Sequence, residues 1–155
     1  MANFVIFKNE YDSYEDLKNV LNYVDDQTRF GGYIGGQNIL LGNPMEQAMA
    51  VNRFFYNETK RKAFHFTLAF EDDDLMIAHT LYEEGYNICA LLPEYQIIFA
   101  IHQETGHLHM HFAINPISLY TGRKLCFDNT TFYGFVNGVR EIFKQYDVKI
   151  GVIWD

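Results

Sequence analysis

Cysteine is nearly absent: Cys89 and Cys126 are the two present, isolated and in no C-x-x-C arrangement. This excludes a disulfide framework and a thiolate metal knuckle, and predicts two free thiols in or near the core. Long apolar runs are missing as well. Stretches such as residues 95–101 fall far short of the ~20 residues that a membrane-spanning helix needs. The first residues lack the basic start and apolar run of a signal peptide, so a cytoplasmic location is expected. Positive charge is also scarce, with 12 Lys and Arg against 20 Asp and Glu and a formal net charge of −8. That balance argues against general affinity for a polyanion, because nonspecific nucleic-acid binding comes mainly from bases that release counterions. The acids gather in runs, at Asp12 to Asp16, Asp25-Asp26 and Glu71 to Asp74, and bases cluster at Lys60-Arg61-Lys62 and Arg123-Lys124. A local basic groove on an acidic body therefore stays open.

Apolar side chains are plentiful. Hydrophobic residues make up 48% of the 155 and aromatics 17%, ample for the core of one domain over residues 1–155. Residues 3–8 read as a first strand. A helix follows, started by Ser13 with Asp16 three positions on, and runs to about Tyr23 or Val24. Residues 25–43 carry five glycines and read as a long loop, with room for a short hairpin. Asn43, Pro44 and Glu46 open a second helix to about Thr59, closed by Lys60–Lys62 at the negative end of its dipole. Phe64, Phe66, Leu68 and Phe70 alternate with His65, Thr67 and Ala69 as in a strand, and a helix over about 73–86 follows. Residues 95–102 and 108–115 form two strands joined tightly enough to be an antiparallel hairpin. A helix over 127–145, capped by Asp128 or Asn129, and a strand over 148–154 complete the chain. The class is α+β, with about five strands in an antiparallel sheet and helices packed on it.

Four of the six histidines fall in one short stretch, His102, His107, His109 and His111. Side chains two apart on a strand share a face, so His107, His109 and His111 should point together while Leu108, Met110 and Phe112 face the core. If 103–107 is the hairpin loop, His102 ends the neighbouring strand and can complete a three-imidazole site with His109 and His111. Three nitrogen ligands leave coordination positions open, as a catalytic ion requires. A lone histidine is more often a sheet-face residue that simply titrates. Four alternating with apolar residues, flanked by Glu104 and Asn115, favour a metal or phosphate site. His65 can line the same sheet surface, and His79 reads as a solvated helix residue.

At these residues the chain resembles the relaxase/mobilisation nucleases of conjugative and mobilisable elements, of the histidine-hydrophobe-histidine endonuclease type. Their hallmark is a histidine, an acid two positions later, a His-x-His pair on a strand, a few hydrophobes and an asparagine. His102, Glu104, His109, His111 and Asn115 reproduce it, and residues 115–125 resemble the family's continuation. Upstream, Leu21-Asn22-Tyr23-Val24 matches the context of the family's nucleophilic tyrosine near the end of the first helix. The resemblance spans nearly the whole chain and implies a bacterial relaxase-like palm.

It implies a divalent ion, Mn, Mg or Zn, on His102, His109 and His111, with Glu104 as an acid that orients a ligand imidazole. Tyr23 would attack the scissile phosphodiester to give a 5′-phosphotyrosine and a free 3′-hydroxyl, in reversible, site-specific nicking during plasmid or conjugative mobilisation. The partners implied are single-stranded or hairpin-flanked DNA at a transfer origin, accessory mobilisation proteins and no membrane. Lys60, Arg61, Lys62, Asn115, Arg123 and Lys124 are candidate DNA contacts, and Phe30 and Tyr33 candidate stacking residues. Two features depart from the pattern: the acidic net charge, and Asp25-Asp26 just beyond Tyr23-Val24. Two alternatives stay open. The run His107, His109, His111 also matches a histidine-triad nucleotide hydrolase, and the acidic charge suits a non-catalytic binding module on the relaxase fold.

Overall fold

The computed structural model describes residues 1–7, 11–26, 33–55, 61–103 and 106–154. Among them, four α-helices flank a single six-stranded sheet. In chain order the elements are β1 (Ala2–Ile6), α1 (Tyr14–Val24), β2 (Ile34–Gln37), α2 (Pro44–Phe54), β3 (Phe64–Ala69), a 3-10 turn (Asp72–Asp74), α3 (Ala78–Cys89), β4 (Gln96–His102), β5 (His109–Asn115), α4 (Asn129–Lys144) and β6 (Ile150–Trp154). The strand order is β2-β4-β5-β3-β1-β6. Every pairing is antiparallel except β1 with β6, which is parallel. The α+β class therefore holds. None of the described helices is long and apolar enough to cross a membrane.

Strand alternation divides the sheet into two unlike faces. One carries Phe4, Phe66, Leu68, Ile97, Phe99, Ile101, Met110, Phe112 and Ile114, buried under α3 and α4. Phe4 stacks on Phe66, Phe66 on Phe112, and Phe112 on Phe99, so an aromatic row crosses four strands. A slip of one residue in any of these strands would turn its aromatics to the other side, which makes the row a strong determinant of register. The second face is built of small residues where helices approach. Ala100 and Ala113 leave room for Leu17, Val20, Leu21 and Val24 of α1, and Ile34, Ile39, Ile98 and Ala48 complete that smaller core. His65, Thr67, His102, His109 and His111 belong to this second face by the same alternation.

Local chemistry accounts for the helix ends. The Ser13 hydroxyl accepts from the Asp16 amide at 3.1 Å and the Asp16 carboxylate accepts from the Ser13 amide at 3.4 Å, the reciprocal box expected from the sequence. Asp128 likewise accepts from the Thr131 amide at 2.8 Å. Asn43 precedes Pro44 as expected but makes no cap bond; its Oδ1 accepts from the Gln47 amide group instead.

Four sequence expectations need correction. Residues 34–37 are a sixth strand rather than loop, because Gly35 lies against Phe99 where an added Cβ would stand 2.4 Å from that ring; glycine here is a packing requirement. The helix expected from about 73 starts at Ala78, since Leu75 adopts φ 55° and ends the acidic 3-10 turn. α2 stops at Phe54, so Arg61 and Lys62 do not close it, and Lys60 lies outside the described residues. The sheet is not wholly antiparallel, because β6 returns beside β1 in the same direction.

Candidate functional site

The site forms on the second sheet face, beside the last turn of α1. Register sets His102 of β4 directly opposite His109 of β5, and His111 one same-face step further along, between Thr67 and Ala100. His65 of β3 pairs with Ala113 and so stands diagonally beside His111. Ring centroids lie 5.3 Å apart for His102–His111, 6.1 Å for His102–His109 and 6.3 Å for His109–His111. His65 joins the group at 5.7 Å from His111.

These rings are poorly hydrated. His102 is 7% and His111 8% exposed, and His109 is half-buried. Burial lowers the His109 pKa, with smaller contributions from His102 and His107, and burial alone pushes His65 down to about 4. Removing water disfavours an imidazolium, so both rings are held in the neutral state in which a ring nitrogen keeps its lone pair.

Polar contacts link the rings in series. The Tyr11 hydroxyl meets His65 Nδ1 at 3.1 Å, His65 Nε2 meets His111 Nδ1 at 3.4 Å, and His111 Nε2 meets His102 Nδ1 at 3.3 Å. Two nitrogens that share a tetrahedral ion at ~2.05 Å stand about 3.3 Å apart, with ring centroids about 5 Å apart. The His102–His111 pair matches both spacings. His109 does not yet, and its ring would have to move inward by about 1 Å. Accordingly, among the described residues no three His, Cys, Asp or Glu side chains already converge as an ion cage. The donor set and pair spacing fit a divalent ion after that one adjustment.

α1 delivers Tyr23 to the same place. Leu17, Val20, Leu21 and Val24 are buried against the sheet, which turns Tyr23 in the last turn toward the histidines. Its ring lies 5.4 Å from His111 and 6.3 Å from His65, edge-on to both. The acids that follow Tyr23 are partly accounted for: Asp25 is the C-cap of α1, and its carboxylate accepts from the Gly42 amide at 3.1 Å.

Other candidates are placed elsewhere. β5 begins at His109, so the alternation does not reach His107; that ring is exposed at the turn, with Nδ1 3.3 Å from Asp72 Oδ1. His79 pairs with Glu83 on the surface of α3, as a solvated residue would. Tyr33 packs beside His79 and Tyr82, on the α3 side of the sheet and away from the cluster. Asn115 is 1% exposed; its amide group donates to Gln96 at 2.8 Å and its Oδ1 accepts from the Ile117 amide, so it ties strand ends together rather than facing solvent.

The basic residues divide in the same way. Lys62 donates its backbone N–H to Tyr11 and holds its ammonium 4.7 Å over the Tyr14 ring, while Arg61 lies over Phe64. Both border the Tyr11–His65 side. Arg123 and Lys124 are exposed near Ile117, beyond the far end of β5 and more than about 20 Å along the strand from His109. Glu104, Phe30 and Lys60 lie outside the described residues. Tyr11 sits outside any periodic segment of the sequence, and only the fold sets it against His65.

The relaxase family model described as MobA/VirD2-like, nuclease domain, matches residues 23–148, most of the chain. The chain belongs to that family, one of nucleases that nick DNA in mobilisation. No curated protein and no solved structure matched it.

Proposed function

We propose that this protein nicks one DNA strand by transesterification, with Tyr23 as nucleophile and a divalent ion held by His102, His109 and His111. The observation that carries the reading is the approach of the Tyr23 ring to within 5.4 Å of His111, on the sheet face where the three histidines gather. A bound Mn²⁺, Mg²⁺ or Zn²⁺ would supply Lewis-acid polarisation of the scissile phosphate and offset charge in the transition state.

The remaining chemistry belongs to the chain. The Tyr23 oxygen gives up its proton and attacks phosphorus, the P–O3′ bond breaks, and the leaving 3′-oxygen takes up a proton, so that the upstream fragment ends in a free 3′-hydroxyl while the 5′-phosphate of the downstream fragment stays on Tyr23. The phosphotyrosine keeps the diester energy, so the 3′-hydroxyl can attack in turn and reseal the strand. Helix α1 limits the motion of Tyr23, which reduces the entropy lost in aligning it with the phosphate. Burial holds the His109 imidazole in the neutral form that presents a lone pair. Glu104 is read as the acid that orients one ligand imidazole. The DNA is single-stranded or hairpin-flanked, as at a transfer origin, and accessory mobilisation proteins belong to the same reading.

Calorimetry with Mn²⁺ tests the ion directly. One site per chain is expected in the wild type, with a large loss of affinity in His109→Ala and none in His107→Ala. Equal affinity in wild type and His109→Ala would overturn the ligand set. A histidine-triad hydrolase is less well supported, because His107 stands apart from His109 and His111 at an exposed turn. The charge of −8 favours a second reading, a relaxase-fold module that binds DNA or protein without cutting. Absence of any cut strand with each of the three metals would select it.

A further inference from the structure

The contacts on His111 reach past the three proposed ligands. Its Nε2 faces His102, and its other nitrogen, Nδ1, faces His65 Nε2 at 3.4 Å. A ligand imidazole that gives one nitrogen to an ion must carry its proton on the other, and a partner that accepts this proton sets both tautomer and ring orientation. We propose that His65 and Tyr11 are positioning residues for His111: His65 accepts the His111 Nδ1–H, and the Tyr11 hydroxyl oxygen accepts the His65 Nδ1–H. This rests on the reading above, in which His111 is a ligand through Nε2.

Three observations carry it. First, the geometry admits a proton order that leaves His111 Nε2 its lone pair, and this is the order an Nε2 ligand requires, although the distances alone fit the reverse relay equally. With His111 protonated at Nδ1, a neutral His65 must accept at Nε2 and hold its own proton at Nδ1, where Tyr11 stands at 3.1 Å. Second, the His65 ring is clamped. Phe7 stacks on it with centroids 4.6 Å apart and planes 29° from parallel, and Tyr11 meets it at its edge. Third, Tyr11 is held at φ 45°, a left-handed backbone that an aromatic residue rarely adopts and that persists where the surroundings over-determine it. The hydrogen bond that the Lys62 backbone N–H donates to the Tyr11 carbonyl, at 2.7 Å, is one of those constraints.

The identity of the partner has a chemical consequence. A carboxylate behind His111 would push electron density into the ring and dilute the charge of a bound ion. A neutral imidazole backed by a phenol orients the ligand with much less of that donation. The ion would keep more of its positive charge for the phosphate, at the cost of weaker ligation by His111.

Two measurements test this, one without metal. In metal-free protein at pH 7.5, ¹⁵N spectra of the imidazoles should show His111 as a single tautomer protonated at Nδ1. In His65→Ala and in Tyr11→Phe the same nitrogens should report a mixture of tautomers. Mn²⁺ titration should then give about tenfold or greater loss of affinity in His65→Ala, a smaller loss in Tyr11→Phe, and recovery in His65→Gln, whose amide oxygen can accept the same proton. A His111 ring protonated at Nε2 in the wild type, or unchanged spectra and unchanged Mn²⁺ affinity in Tyr11→Phe and in a folded His65→Ala, would overturn the assignment. Failure of the wild type to bind Mn²⁺ while the tautomer result holds would instead reject the ligand reading and leave the positioning pair standing.

Discussion

Tyr23 and His111 meet across two elements, the last turn of α1 and the middle of β5, with ring centroids 5.4 Å apart and planes at 73°. The phenol is thereby held at the rim of the histidine group, and its neighbours Leu21 and Val24 anchor it from below. Tyr23→Phe keeps the ring and removes only the oxygen. Covalent attachment of protein to the 5′ end of a cut oligonucleotide, read on a denaturing gel with Mn²⁺, is expected to vanish in that variant and to persist in Tyr33→Phe. Attachment that survives Tyr23→Phe would assign the nucleophile elsewhere.

The separation of the basic residues predicts unequal effects on DNA. Arg61 borders the Tyr11–His65 side, whereas Arg123 stands beyond the opposite end of β5. In a salt series with a single-stranded oligonucleotide, Arg61→Ala should weaken binding and lower the slope of log K against log salt by about 0.7. Arg123→Ala should do much less. Equal losses would mean that the strand runs the full length of the sheet.

Stability should fall on mild acidification. His65 is pushed down to about 4 by burial, from an ordinary 6.5, so between those values the unfolded chain binds a proton that the native protein does not. The His65 contribution is therefore complete above pH 6.5 and is lost as the pH drops toward 4. Its size is on the order of 3 kcal/mol. His109 is displaced in the same direction. Urea unfolding of metal-free protein at pH 7.5, 6.5 and 5.5 should show this decline, with a flatter profile in His65→Gln; identical profiles would refute the assignment to His65.

Gly85 predicts the reverse of helix propensity. Alanine in a helix interior is usually about 1 kcal/mol better than glycine. Here a Cβ would stand 2.2 Å from the buried Phe99 ring, which belongs to the aromatic row. Gly85→Ala should therefore destabilise the protein by about 1–3 kcal/mol, measurable as a lower urea midpoint.

The two thiols should react unequally. Cys89 is buried in the core and its pKa is pushed up to about 12, whereas Cys126 is exposed. Alkylation at pH 8 and mass analysis should find one rapid modification, at Cys126; rapid labelling of Cys89 in folded protein would show that the α3 core opens readily.

Much of this was legible because it depends on local periodicity. Alternation within residues 109–115 puts histidines on one side of a strand and apolar residues on the other whatever the strand packs against. The Ser13 and Asp128 caps are likewise local, since a short polar side chain at a helix start finds the same amides in any fold. That His102 ends the strand next to His109 and His111 followed from a hairpin, whereas the register that sets it opposite His109 belongs to the fold. What could not be read locally depends on which strands become neighbours. β3 lies beside β5, and that adjacency alone brings His65 against His111 and, through it, Tyr11 into the group. Gly35 reads as loop because propensity knows nothing of the Phe99 ring that leaves it no room for a side chain. Asn115 and Arg123 look like ligand contacts in one dimension. Their places, one buried between Gln96 and Ile117 and the other beyond the far end of the sheet, were decided by packing, since burial and distance are properties of the assembled sheet and helices and of no single segment.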